Sequence, residues 1–266
     1  MKPFLKWAGS KYKIVERIRN SLPPGKRLIE PFAGSGAVFL NTTYEEYLVA
    51  DSNADLINLF TQIKSNGENF IEYAKHIFNE ENNTESTFYR FREEFNSSKD
   101  LQRKAALFIY LNRHCFNGLC RYNSKGGFNV PFGRYAGPKF PEEEVRDFIK
   151  KSQKAIFKQS GFEETMASAR EGDVVYCDPP YVPLSTTSNF TSYTQEGFGS
   201  REQEILANAA YSLKKRGIPV VISNHDTVFT RTMYASANIY AFDVQRFISR
   251  DVNNRGKAAE LIAVFA

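Results

Sequence analysis

Four consecutive residues, Asp178, Pro179, Pro180 and Tyr181, place a carboxylate, two proline carbonyls and an aromatic face side by side. They follow Val174-Val175-Tyr176-Cys177, an apolar run rich in β-branched residues that predicts a buried strand. A strand ending this way delivers the four residues to the carboxyl edge of a sheet, where open α/β sheets bind ligands. Each proline fixes its own φ, lacks an N–H and pushes the residue before it into an extended conformation. Acceptors held like this suit a flat molecule carrying an NH2 group. The carboxylate and a proline carbonyl accept its two hydrogens while Tyr181 stacks on its face.

The elements that must position this chemistry lie on both sides of it in the chain. Arg27 to Phe32 reads as a strand, which runs into Ala33-Gly34-Ser35-Gly36 and a helix from about Ala37. Tyr47 to Asp51 reads as the next strand, ending in an acid. Asn53 then caps a helix carrying Leu56, Ile57, Leu59, Phe60 and Ile63 at helical spacing. Strand, glycine loop, helix, strand and acid form half of a nucleotide-binding α/β sheet. Gly34 and Gly36 allow close approach of backbone to a ligand at a helix start, and Asp51 is placed to accept from ribose hydroxyls. The third small residue of the dinucleotide fingerprint is replaced by Phe39, and no G-x-x-x-x-G-K-[ST] loop is present. A cofactor with a ribose and no phosphates fits better, and S-adenosylmethionine has that make-up.

Between the two halves the pattern changes. It is helical from about Asn66 to His114, with Ala105 to Leu111 strongly apolar. From Asn117 to Tyr135, Asn, Gly and aromatic residues alternate, and Ser124-Lys125-Gly126-Gly127 predicts a hairpin turn between short strands. Helix returns over Glu142 to Gln153, followed by a strand at Ala155 to Gln159. Val182 to Ser200 is polar and reads as a mobile loop. A helix over Arg201 to Lys215 and strands at Ile218 to Ser223 and Leu261 to Phe265 complete the chain. The expectation is one α/β sheet over 1–65 and 154–266, interrupted by an insertion over 66–153.

Charge marks the same insertion. From Lys99 to Pro141 there are eight Lys/Arg and one acid, so this segment is +7 and the remainder of the +5 chain is −2. A solvated basic face or a phosphate-facing element both produce such a run. No apolar run approaches the ~18 to 20 residues of a membrane span. The N-terminus lacks the apolar stretch of a secretory signal. Cys115, Cys120 and Cys177 lack metal-ligand spacing and read as free thiols of a reducing compartment. His76, His114 and His225 are scattered, so neither a zinc site nor a serine triad is supported.

The chain resembles the Dam-type DNA adenine-N6 methyltransferases over nearly its whole length. The matching blocks are Phe4 to Gly9 with Lys11, Glu30 to Gly36, Ala50-Asp51, Tyr110 to Arg113, Asn117 to Asn123, Phe128 to Tyr135, Asp178 to Tyr181, and Ser223 to Asp226. Their order, cofactor motif then target-recognition insertion then catalytic motif, is that of the α group of amino-methyltransferases. Phe116 stands where the family often has tyrosine, and Ser10 where it often has glycine.

The resemblance implies a Rossmann-like methyltransferase sheet with a helical and β-hairpin target-recognition insertion. It implies Asp178, Pro179, Pro180 and Tyr181 as catalytic residues. Trp7, Lys11, Phe32, Gly34, Gly36, Asp51 and Asp178 would line the S-adenosylmethionine site. The substrate would be adenine N6 in double-stranded DNA within GATC, with the base flipped out because its amino group is otherwise paired. The DNA-facing set would be Lys6, Arg113, Phe116, Asn117, Leu119, Arg121, Asn123, Pro131, Arg134 and Lys139. Arg121 is assigned to a guanine edge, with one more phosphate contact as the alternative, and Arg134 and Lys139 to phosphates. Phe116 and Leu119 suit the gap left by a flipped base. No metal is expected, and the protein is expected to be a cytoplasmic monomer of a bacterial or phage-infected cell. Two other readings stay open: an RNA or protein methyltransferase using the same tetrapeptide, and a catalytically silent DNA-binding module.

Overall fold

The computed structural model describes residues 1–182, 198–245 and 257–266. Most of the polar segment expected as a loop after Val182 lies outside the described residues. The fold is mixed α/β, with a seven-stranded sheet in the order β3-β2-β1-β4-β5-β7-β6. The strands are β1 Arg27–Glu30, β2 Glu46–Asp51, β3 Ala155–Gln159, β4 Asp173–Cys177, β5 Val220–His225, β6 Asn238–Gln245 and β7 Lys257–Phe265. Residues cluster into two compact units, one of 1–16, 33–43 and 51–159, the other of 17–32, 44–50 and 160–266.

In the second unit, β1 pairs in parallel with β2 on one side and with β4 on the other. β4 pairs in parallel with β5. β7 runs antiparallel between β5 and β6. Successive strands lie to one side of β1 and then, from β4, to the other, so the crevice outside the carboxyl ends of β1 and β4 is the switch point at which such sheets take ligands. At the opposite ends of these strands, Arg27 donates two hydrogen bonds to Asp173, at 3.0 and 2.6 Å. The pair sits across the β1–β4 register, and a forked guanidinium–carboxylate contact fixes orientation as well as distance. β4 is buried along its full length, as its apolar run predicts. Helix α8, Ser200–Lys215, covers the sheet with Leu206, Ala207, Ala210 and Leu213 at helical spacing.

The first unit is mainly helical. α3, Ala54–Lys75, starts at Asn53, whose side chain accepts from the N–H groups of Asp55 and Leu56 as expected of that cap. α3 kinks at Gly67, where φ is +53°. α4 Glu85–Ser97, α5 Leu101–His114 and α6 Glu142–Ser152 follow. The Phe148 ring lies 4.8 to 5.8 Å from those of Phe4, Phe39, Phe60 and Phe157, so one aromatic cluster joins segments distant in sequence.

Three expectations change. The hairpin around Gly126 does not build regular strands: isolated bridges join Tyr122 to Phe128 and Cys115 to Phe132. Asn and Gly weaken strand propensity there, and side-chain bonds replace the ladder. The first strand stops at Glu30 rather than Phe32. The expected pattern also omitted β6, an edge strand with half-exposed residues, and the short helices α1 Val15–Ser21, α7 Phe162–Ala167 and α9 Val228–Met233. A short helix shows too few turns for a legible period.

Candidate active site

Within the second unit, Asp178 leaves β4 partly exposed, followed by buried Pro179, exposed Pro180 and partly exposed Tyr181. The Pro180 carbonyl accepts a hydrogen bond from Gln203 Nε2 at 2.7 Å. Of the two proline carbonyls anticipated as acceptors, this one already has a strong donor. Tyr181 meets the His225 ring edge-on, centroids 4.7 Å apart, and its hydroxyl reaches Glu260 Oε2 at 3.4 Å. Burial, with the Asp178 and Glu260 carboxylates nearby, raises the Tyr181 hydroxyl well above an ordinary phenol, which keeps it protonated. The next residue, Val182, donates its N–H to Asn224 Oδ1 at 3.3 Å, and its carbonyl accepts from His225 Nδ1 at 2.5 Å. Phe32, two residues past β1, stacks on Phe162 at 5.5 Å and meets Phe198 edge-on.

Within the first unit, Gly34 donates its N–H to Asp51 Oδ2 at 3.0 Å, and Asn53 donates to Asp51 Oδ1 at 2.9 Å. Burial pushes the Asp51 carboxyl up, while the N–H groups of Asn53, Gly34 and Ser52 pull it down. The indole of Trp7 lies over Gly34, whose φ is +48°. A Cβ there would come within 2.9 Å of Trp7 Nε1, so only glycine fits. Gly36 also has a positive φ, +70°, immediately before α2, Ala37–Asn41. Lys11 is buried and donates to the Gly9 carbonyl at 2.8 Å. Ser10 and Ser35 hydroxyls are 3.0 Å apart, tying the Lys6–Lys11 segment to the glycine loop. The structure thus brings Trp7, Gly34 and Asp51 together.

The same unit assembles a second cluster. Asn112 accepts from the Lys6 N–H at 2.9 Å and donates to the carbonyls of Lys6 and Gly118. Gly118, φ +63°, lies against the Lys6 stem so closely that a Cβ would overlap it. Lys6 Nζ sits 4.4 Å from the centre of the Tyr135 ring, whose hydroxyl accepts the Asn117 N–H at 2.9 Å. Burial, then the Arg113 charge, lowers the Lys6 ammonium below its ordinary value. Phe116 is 51% exposed although apolar, and its N–H donates to the Pro131 carbonyl. Asn117 holds a left-handed φ of +54°. Lys6, Phe116, Asn117 and Pro131 therefore belong to one cluster, and Leu119 adjoins it through its N–H to the Phe116 carbonyl.

The remaining DNA-facing candidates are placed differently. Arg121 is exposed and donates through Nε and Nη2 to Asn129, at 2.8 and 3.1 Å. Asn123 Oδ1 accepts from Lys125 and Gly127, so this side chain builds the turn. Arg134 is exposed and pairs with Glu85. Lys139 is exposed, whereas Arg113 is half-buried with its Nε enclosed and burial lowering its charge affinity. Among the described residues no group of three or more His, Cys, Asp or Glu is placed to hold a metal. No described helix is long and apolar enough to cross a membrane.

A family model described as D12 class N6 adenine-specific DNA methyltransferase matches residues 7–248. The chain belongs to this family. It is 52% identical to a DNA adenine methylase of Serratia marcescens over 98% of this chain and 97% of that protein. It is 48% identical to the DNA adenine methylase of Escherichia coli K12, over 98% of this chain and 94% of that one. A Vibrio cholerae DNA adenine methylase is 50% identical over 98% and 95%. This D12-class chain is therefore an adenine-specific DNA methyltransferase, acting at N6. Sequence reasoning had given no role to Gln203, Tyr234, Asn112 or Tyr135. Asn112 and Tyr135 lie inside blocks of sequence that match the family. Gln203 stood on the apolar stripe of its helix, a position where an amide calls for a reason.

Proposed function

We propose that this methyltransferase takes its methyl group from S-adenosylmethionine and acts on adenine within GATC, after the base has left the duplex. The cofactor would supply a methyl carbon made electrophilic by its sulfonium. Asp51 fits its ribose: two backbone N–H groups fix the carboxylate, and its other lone pairs suit hydroxyl donors. Trp7, Gly34, Gly36, Lys11 and Phe32 complete the proposed cofactor set.

The observation that carries the mechanism is the Gln203 bond to Pro180. With that carbonyl engaged, the acceptors proposed for the two N6 hydrogens are Asp178 and the Pro179 carbonyl. Adenine N6 is a poor nucleophile because its lone pair is delocalised into the ring. Accepting both hydrogens favours a pyramidal nitrogen with a localised pair. Tyr181, held protonated, stacks on the base and keeps N6 oriented. The protein's contribution is positioning and charge placement rather than a strong base.

Residues 66–153 are proposed to recognise the target, within a catalytic frame of 1–65 and 154–266. Arg121 is assigned to a guanine edge, and Phe116 with Leu119 to the space vacated by the base. Arg134, Lys139 and Arg113 are assigned to phosphates, and Lys6, Asn117, Asn123 and Pro131 to the same DNA face. The test is methylation of a plasmid in vitro with S-adenosylmethionine, then digestion with nucleases that differ in sensitivity to methylated GATC. Protection confined to GATC is expected. Protection elsewhere removes the site assignment, and transfer to RNA in preference to DNA removes the substrate assignment.

A further inference from the structure

We propose that Gln203 and Asn224 are positioning residues for the transfer step, two buried amides that clamp the backbone on both sides of Tyr181. The inference rests on the proposed role of Asp178 to Tyr181. Gln203 is 1% exposed and Asn224 0%. They come from α8 and β5, elements that meet only in the folded unit. Asn224 Nδ2 donates to Gln203 Oε1 at 3.1 Å and lies at the same distance from the Tyr234 hydroxyl. Each amide then sends one group to the catalytic segment: Gln203 Nε2 to the Pro180 carbonyl, Asn224 Oδ1 to the Val182 N–H.

The geometry has a specific consequence. A peptide unit is planar, so fixing the Pro180 carbonyl fixes the plane entering Tyr181. Fixing Val182 N–H fixes the plane leaving it. With both planes set, φ and ψ of Tyr181 are restrained, and its ring is held in turn by the edge-on His225 contact and the hydroxyl's approach to Glu260. The bond also turns the Pro180 carbonyl toward the interior, leaving Pro179 to meet the substrate amine. An apolar residue at 203 would match the Leu206, Ala207, Ala210 and Leu213 stripe but would leave a carbonyl without its donor. An amide carries its acceptor and its donor on separate atoms, so the Gln203 side chain accepts from Asn224 through Oε1 while donating to Pro180 through Nε2.

The test compares the full-length wild-type protein with Gln203→Met and Asn224→Asp. Single-turnover methyl transfer to a GATC duplex is measured beside S-adenosylmethionine affinity, duplex affinity and thermal midpoint. Met fills similar space without the amide. Asp keeps the Oδ1 acceptor but loses the donor to Gln203. Expected is a ~10 to 10²-fold slower transfer for Gln203→Met, with both affinities within about twofold of wild type, since misplacement of this order costs that much rate. Asn224→Asp should be slower in the same step only. Wild-type transfer by Gln203→Met overturns the proposal, as does a rate loss matched by equal losses in both affinities. If Gln203→Met does not fold, Asn224→Asp decides: slowed transfer supports the clamp and wild-type transfer overturns it. A wild-type protein that leaves adenine unmethylated defeats the underlying reading instead.

Discussion

The segment from Asp178 to Val182 and the segment from Cys115 to Tyr135 are both irregular, yet they differ in how much of each is fixed from the interior. The first hangs from a buried amide pair and a buried strand. The second combines long-range amide anchors, Asn112 on Gly118 and Asn96 on Phe128, with many local bonds at the surface: Asn123 to its own turn, Arg121 to Asn129, Asn117 to Tyr135. The first presents few groups in one arrangement. The second presents many exposed groups, including a half-exposed phenylalanine, and is the segment proposed to meet the duplex. Chemistry on a reacting atom needs fixed acceptors, whereas reading a duplex needs side chains that can exchange an internal hydrogen bond for one to a base.

The sharpest way to break this comparison is Asp178→Ala. It is expected to lower single-turnover transfer by ~10² to 10³-fold or more, with duplex affinity retained, as for loss of an electrostatic contact in the transition state. A near-normal rate would remove Asp178 from the reaction.

His114 tests how tightly the helical frame beneath the segment proposed to read the duplex is packed. It is buried, stacked on Tyr110 at 3.8 Å and near Phe78, with Nδ1 2.8 Å from the Tyr110 carbonyl. Burial lowers it from 6.5 to about 4, with the Arg113 and Lys6 charges adding to the shift. Between these values the unfolded chain binds a proton that the folded chain refuses. Its contribution is therefore complete above pH ~6.5 and is lost as pH falls toward 4, by about 3 kcal/mol in all. Denaturant titrations from pH 7 to 4.5 should show that loss, and His114→Gln should flatten it. An unchanged pH slope in the variant would assign the loss to other groups.

Asp51→Ala should weaken S-adenosylmethionine binding by about 1.5 to 3 kcal/mol, with little change in the transfer step once the cofactor is saturating. Calorimetry showing unchanged affinity would take Asp51 out of the cofactor set. Arg121→Ala is the mildest change and bears most directly on the exposed segment. Reading of guanine predicts a loss of ~1 to 3 kcal/mol of discrimination at one outer base pair and an almost constant salt slope. Contact with phosphate predicts uniform weakening across GATC and its single-base variants, with a slope lower by about one. Because Arg121 is bonded to Asn129 in the structure, Asn129→Ala should show a weaker version of the same pattern.

Local composition alone determined much of this protein. An apolar β-branched run followed by Asp-Pro-Pro-Tyr becomes a buried strand with a rigid exit, because proline geometry and strand burial act over a few residues. The glycine loop and the strand-terminal Asp51 were legible for the same reason, and so was the Asn53 cap. What holds those groups in place was not legible. Gln203 and Asn224 lie 23 and 42 residues from their backbone partners, at Pro180 and Val182. Asn112 lies 106 residues from the Lys6 backbone that it clamps. A buried amide has no periodicity of its own, and its partner is set by which helix and strand pack together. The short strands expected around Gly126 failed for the converse reason. Alternation there suggested a ladder, but Asn side chains satisfied the backbone first, and the tertiary structure held the turn by bonds that no pattern announces.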